Sequence, residues 1–244
     1  MFILKFKNCD VCVNPLVAIV ELIAIFCLLH AIPSVADLGL HFVDYLIITF
    51  LVFAGSLGSL FMHEYAHSLA ARWMQLPIKG ITISVFGAFT SVDGQPSTPK
   101  GAFIVSIAGP LMNIFIGVIF YTSHIAFGYL DIAGTACFCL AVFNGIFSAY
   151  NLLPVMPLDG GLIVRSAFWT TSRDWGWSTR ISFNVGTGFI LICIATGIVN
   201  IFTHNPIMGV LSLIVGLSLL QSERMAYQQM WAARFLNTLN PKRP

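Results

Sequence analysis

Between Phe50 and Trp73 the chain reads FLVFAGSLGSLFMHEYAHSLAARW. Its first half is apolar enough to sit in lipid, yet His63-Glu64-Tyr65-Ala66-His67 places three ionisable residues within five positions. Inside a membrane helix each such group costs several kcal/mol unless it is paired, so the cluster marks a site rather than a chance match. On a helix, residues four apart lie about 40° apart and one turn up. Both imidazoles can therefore reach one metal, and Glu64 beside them can take a proton from an attacking water. Imidazole and carboxylate donors in a four-coordinate site favour zinc.

The rest of the chain fits a membrane setting. It has 244 residues, of which 57% are hydrophobic and only 9% charged. A soluble domain is about 25% charged, which would mean roughly 60 such residues at this length. The mean hydropathy is +0.87. These values exclude an ordinary soluble enzyme, a disordered regulator and a nucleic-acid binder. A hydrocarbon core of about 30 Å takes about 20 apolar residues of helix. Runs of that order predict six spans, near 14–33, 45–73, 102–127, 133–153, 183–203 and 206–221. The fold expected is an all-α polytopic membrane protein, one transmembrane domain over 1–244. It has further helices at 14–33, 183–203 and 206–221, and a helical cytoplasmic tail over 222–244.

The connections 34–44, 128–132 and 204–205 hold no Lys or Arg, so all 12 basic residues fall on one side. The positive-inside rule makes that side the cytoplasm, with both termini inside. The N-terminus has a second reading. Lys5, Lys7, a short apolar run and Ser34-Val35-Ala36 also resemble a cleavable signal peptide, although Glu21 interrupts that run. Ile81-Thr82-Ile83-Ser84-Val85-Phe86, followed by Gly87, predicts a short β-like hairpin at the cytoplasmic side. Four of the six cysteines lie in apolar runs, and Cys9 and Cys12 form a lone C-x-x-C that reads as a chance pair of thiols.

Two histidines leave a catalytic zinc one protein ligand short. His63 lies nine residues before Arg72, about 13 Å in from the cytoplasmic edge by helix rise. The third ligand must come from that inner half, where Asp159, Glu21 and Asp93 qualify. Asp159 has the best context, because Pro157 and Gly160-Gly161 can bend the chain back into a bundle; its other reading is a helix N-cap. Glu21 lies at a depth of roughly 10 Å by the same rise. It can hydrogen-bond within the site, line a water path, contact substrate, or be a bundle-facing acid kept neutral by burial.

Three elements in order then resemble the site-2 protease family of intramembrane zinc metalloproteases. They are His63-Glu64-x-x-His67, Gly109-Pro110-Leu111-Met112-Asn113, and Asn151-Leu152-Leu153-Pro154-Val155-Met156-Pro157-Leu158-Asp159-Gly160-Gly161. With Phe86-Gly87-Ala88 they span about 60–161, which implies the family's three-helix catalytic core at about 45–161 with accessory helices around it; the outer spans match only in number and size, as in the compact six-span bacterial type, sporulation-type members included. The resemblance implies one zinc ion per chain on His63, His67 and Asp159, with Glu64 as general base. It also implies that Asn151 holds substrate or the oxyanion, the other reading of Asn151 being a helix–helix hydrogen bond. Asn113 and Glu21 are accessory candidates. Gly109-Pro110 either breaks or kinks its span near the site, or serves packing. Where the family usually has Gly, this chain has Ala66, and no PDZ domain fits in 74–101.

The function so read is an intramembrane zinc endopeptidase of the bacterial inner membrane. It would cut transmembrane or membrane-tethered proteins near the cytoplasmic side, among membrane lipid and regulatory membrane proteins, with no nucleic-acid partner. Two rivals stand: a membrane metal transporter, which needs ligands along a path across the bilayer, and a non-catalytic relative that binds membrane proteins.

Overall fold

The computed structural model describes residues 2–6, 9–13, 41–76, 78–84, 87–92, 98–128, 131–203 and 205–239. The elements in chain order are β1 (Phe2–Phe6), β2 (Cys9–Val13), α1 (Phe42–Trp73), β3 (Ile78–Ser84), β4 (Gly87–Val92), α2 (Pro99–Phe127), α3 (Ile132–Asn151), α4 (Asp159–Ser172), α5 (Trp175–Thr203) and α6 (Pro206–Leu239). Five helices, α1, α2, α3, α5 and α6, are long and apolar enough to cross a membrane. They match the last five expected spans. The first, 14–33, lies outside the described residues, as does Glu21. Large apolar side chains such as Phe50, Phe115, Ile192 and Phe202 face outward from these helices. That pattern would be costly in water and suits lipid.

The chain divides into two compact units, 1–95 with 108–149, and 96–107 with 150–244. In the first, α1 buries a stripe that runs Ile48, Val52, Ser56, Ser59, His63, His67 and Ala70. Steps of three and four keep it on one face of the helix. Its upper part packs with Ala136, Cys139 and Leu140 of α3 in one apolar cluster. A Cβ on Gly55 would lie 2.6 Å from Leu140 Cδ1, so the bare glycine gives the Leu140 side chain its place. Lower down the contact turns polar. Asn144 Nδ2 donates to Ser59 Oγ at 3.0 Å and to the Leu140 carbonyl at 2.9 Å. Ser148 Oγ donates to the Pro110 carbonyl at 3.2 Å. Small residues and short polar links of this kind let membrane helices approach closely.

The same unit holds a four-stranded sheet in the order β1-β2-β3-β4. Of the strand-like stretch at 81–86, Ile81 to Ser84 fall in β3, which pairs antiparallel with β4, Thr82 opposite Phe89, and residues 85 and 86 lie outside the described residues. The N-terminal strands were not expected. β1 pairs antiparallel with β2, Lys5 opposite Asp10, and β2 pairs parallel with β3, Val11 opposite Ile81. Cys9 and Cys12 therefore belong to a strand.

In the second unit, α4 packs on α5 and α5 on α6. Val155, Leu158, Ile190 and Leu219 form its buried apolar cluster. Gly197 and Gly209 let α5 and α6 close up, a Cβ on Gly197 lying 3.2 Å from the Gly209 carbonyl oxygen. The edge of Trp175 meets Trp231 at 5.5 Å, and the guanidiniums of Arg165 and Arg234 lie 5.8 and 4.5 Å from the Trp175 ring centre. The expected tail over 222–244 continues α6 without interruption to Leu239.

Candidate metal centre

His63 and His67 lie one turn apart on the buried face of α1, 3% and 8% exposed. Their Nε2 atoms are 3.1 Å apart and the rings meet edge to face. Two zinc–nitrogen bonds of about 2.0–2.1 Å at a tetrahedral angle would separate the nitrogens by about 3.3 Å. The pair is thus spaced as two ligands of one ion. His63 Nδ1 is 2.8 Å from Asn113 Oδ1. An amide oxygen there accepts a hydrogen bond from Nδ1–H, which leaves the Nε2 lone pair for a metal. Asn113 is fully buried, so this bond has no competition from water. The ring of Phe147, 5.2 Å away, closes another side of His63.

Gly109 presses on the same two atoms. A Cβ there would meet His67 Nε2 and would lie 2.6 Å from His63 Nε2. α2 continues as a helix through Pro110, so the pair does not break the span, and Gly109 serves close packing against the two rings. The missing side chain leaves room beside the paired nitrogens, which is where an ion would sit. Two buried imidazoles with converging Nε2 atoms, one oriented by an amide, fit a zinc ion. Glu64 is equally buried, and its Oε1 is 3.9 Å from His63 Nε2. It stands close enough to that nitrogen to reach a water bound beside it.

Asp159 lies in the second unit and opens α4. The N-cap is Leu158, in extended conformation, so the N-cap reading of Asp159 gives way to the first helical position. The chain before it is a tight turn. The Val155 N–H donates to the Leu153 carbonyl at 2.7 Å, and the Leu158 N–H to the Val155 carbonyl at 2.9 Å. The Met156–Pro157 peptide is cis. Gly160 and Gly161 lie directly on this turn. A Cβ on Gly160 would meet the Leu152 and Leu153 carbonyl oxygens, and one on Gly161 would lie 2.6 Å from the Met156 nitrogen. Ser182 of α5 donates to the Gly161 carbonyl at 2.7 Å. The D-G-G sequence is thus a helix start folded back onto its own lead-in, which fixes the backbone that carries the Asp159 carboxylate. Asn151 is the last residue of α3 and is half-buried. Asp93 lies outside the described residues.

One buried carboxyl escaped the sequence reading. Glu223 is completely buried on α6, two residues past the end of the expected sixth span. Its neighbours Arg224 and Gln221 made it look like the start of a solvated tail.

Comparison with known proteins follows the same residues. The model of peptidase family M50 matches residues 50–132 and 129–195. A relative in Synechocystis sp., sll0528, is 33% identical over 180 residues, covering 72% of this chain and 46% of its own length. The zinc metalloprotease MJ0392 of Methanocaldococcus jannaschii is 29% identical over 170 residues, 68% of this chain and 48% of that protein. Stage IV sporulation protein FB of Bacillus subtilis is 29% identical over 109 residues, 44% of this chain and 36% of that one. The chain spans about half the length, or less, of these relatives. The solved site-2 protease from Methanocaldococcus jannaschii superposes with a TM-score of 0.60 at 22% identity, over 93% of this chain and 94% of that one, and so shares its fold. The family match covers the imidazole pair on α1, Gly109 to Asn113 on α2 and the Asp159 turn, and on that ground this integral membrane protein belongs to peptidase family M50.

Proposed function

We propose that the chain is an intramembrane zinc endopeptidase whose catalytic core is about 45–161. The observation that carries the reading is the buried pair of Nε2 atoms 3.1 Å apart, with Glu64 beside it and Gly109 leaving room. His63, His67 and Asp159 would hold the zinc, two imidazoles and a carboxylate offering one ligand atom each. A zinc ion supplies Lewis acidity toward a scissile carbonyl and makes water more acidic. Glu64 takes the proton of the attacking water on its carboxylate and returns it to the leaving amine. Asn151 donates its amide N–H to the oxygen that gains charge as the carbonyl is attacked. Asn113 holds His63 in the tautomer that binds metal.

The substrate is a transmembrane or membrane-tethered protein cut near the cytoplasmic side, with both termini of the enzyme in the cytoplasm. The distribution of the 12 basic residues supports that orientation. A substrate helix must unwind before its peptide bond can be attacked, and an edge strand of the sheet is suited to hold the extended segment by β-augmentation. The intact glutamate within H-E-x-x-H favours hydrolysis over transport.

The test is cleavage of a co-expressed membrane substrate by wild type and by Glu64→Gln, with bound zinc measured on both. Glu64→Gln keeps shape and removes basicity, and general-base catalysis contributes about 10²–10⁴-fold. Activity should fall by at least that factor while about one zinc per chain is retained. Wild-type cleavage by this variant would sink the mechanism, and loss of its zinc would make Glu64 a ligand. Reporter fusions at residues 130 and 170 should report outside and inside; the reverse would overturn the orientation.

A further inference from the structure

Glu223 is the most deeply buried acid among the described residues, fully enclosed within α6. Its Oε2 accepts from Thr187 Oγ1 of α5 at 3.0 Å. The same carboxyl lies beside the backbone N–H of Met156, in the turn before Asp159. Gly186 provides the passage between them. A Cβ at that position would meet Glu223 Oε1 and would lie 2.9 Å from the Pro154 carbonyl oxygen and 3.0 Å from Glu223 Cδ. Glycine at 186 therefore lets a side chain from α6 reach past α5 to the backbone of the turn.

The far side of the same turn is occupied. Gly161 of α4 sits where its Cβ would be 2.6 Å from the Met156 nitrogen, and Ser182 of α5 holds the Gly161 carbonyl. Val155 and Met156 are completely buried. The turn thus lies between a helix start and a carboxyl, and the carboxyl beside Met156 comes from neither α3 nor α4. A buried backbone N–H left without a partner is costly. A carboxyl oxygen is a strong acceptor for it, which explains why a charged residue type stands inside an apolar helix pair at this depth.

We infer that Glu223 is a positioning residue for the metal centre: through Met156 it fixes the turn that delivers the Asp159 carboxylate. This rests on the reading of Asp159 as a zinc ligand. Glu223 touches neither substrate nor metal, and it acts three residues upstream of the ligand through the backbone. Helix α6 thereby becomes part of the site's support rather than an accessory.

The experiment measures zinc affinity by chelator competition on the purified full chain, with far-UV circular dichroism as the control for folding. Outer-shell partners of metal ligands typically contribute 10–100-fold in affinity. Glu223→Leu, which fills similar space without an acceptor, should weaken zinc binding by about that factor. Glu223→Gln keeps one amide oxygen as acceptor and should stay within about threefold of wild type. Gly186→Ala should reproduce the Glu223→Leu loss by pushing the carboxyl away, and it carries the decision if Glu223→Leu does not accumulate. In the Asp159→Ala background, Glu223→Leu should add no further loss, because the ligand it positions is gone. Wild-type affinity in Glu223→Leu or Gly186→Ala, a full additional loss on Asp159→Ala, or a Glu223→Gln as weak as Glu223→Leu would each overturn the inference. Asp159→Ala with undiminished affinity is a different result: it would overturn the ligand reading itself, whatever Glu223 does.

Discussion

The imidazole pair on α1 and the turn before Asp159 solve the same problem in opposite ways. On α1 the donors are placed by periodicity. Residues 63 and 67 share a face because any helix puts i and i+4 there, and the neighbouring span has only to leave space. In the turn, the donor is placed by backbone contact. Leu152, Leu153, Val155 and Met156 meet Gly160 and Gly161 at distances that no Cβ would permit. The first device tolerates change in most surrounding side chains but is sensitive to whatever occupies the space beside the nitrogens. The second is sensitive to any atom added to its glycines.

That contrast can be broken most directly at Gly109. Gly109→Val adds three carbons where one already touches both Nε2 atoms. Zinc in the purified variant should fall to background while circular dichroism keeps its helical signal. Retained zinc would show that the space beside the pair is not the metal position. Gly160→Ala tests the turn in the same currency. Its Cβ meets two carbonyl oxygens rather than movable rings, so the turn itself must shift. Overpacking of this kind costs about 1–3 kcal/mol, and the thermal midpoint should drop along with zinc affinity. A variant that loses zinc without losing stability would mean the turn can adjust at no cost to the fold.

A gentler probe of α1 is Asn113→Leu, which removes the acceptor for His63 Nδ1 and keeps the volume. Chelator competition should show a loss of about 10–100-fold, the usual weight of a ligand's outer hydrogen bond. No change would mean that His63 keeps its tautomer without help. The smallest effect belongs to Ser182→Ala, which deletes one hydrogen bond to the Gly161 carbonyl. It should cost about 0.5–1.5 kcal/mol in stability and leave zinc binding near wild type. A zinc defect as large as that of Gly160→Ala would make Ser182, not the glycine contacts, the main restraint on the turn.

The same contrast explains what could be read from the sequence. His63, Glu64 and His67 were legible because one helix supplies all three and its period is fixed. Asp159 stood out by its Pro157 and Gly160-Gly161 context and by a long motif, but nothing in the spacing says that Gly160 and Gly161 fold onto residues 152–156. Gly109 was ambiguous between a kink and a packing role because the rings that require its bareness lie about 45 residues upstream in the chain. Glu223 was missed for a related reason. A glutamate followed by Arg224 reads as the start of a wet tail, and its partners on α5 and in the turn are 36 and 67 residues away. Strands β1 and β2 are five residues each, and β2 pairs with β3 about 70 residues on. Short strands with distant partners leave little trace in local pattern.

The length of α6 has a mechanical consequence. Its 34 residues extend for about 51 Å at 1.5 Å per residue, against a hydrocarbon core of about 30 Å. Some 20 Å of it must therefore project beyond the hydrocarbon. Gln228, Gln229 and Arg234 fall in the second half of the rod, and no proline interrupts it after Pro206. A helix without a break is stiff along its axis and has no joint to absorb a load. Glu223 and Trp231 are eight residues apart on this beam, about 12 Å. Trp231 lies on the projecting half and meets Trp175 edge to face, so that half of the rod is tied to the start of α5.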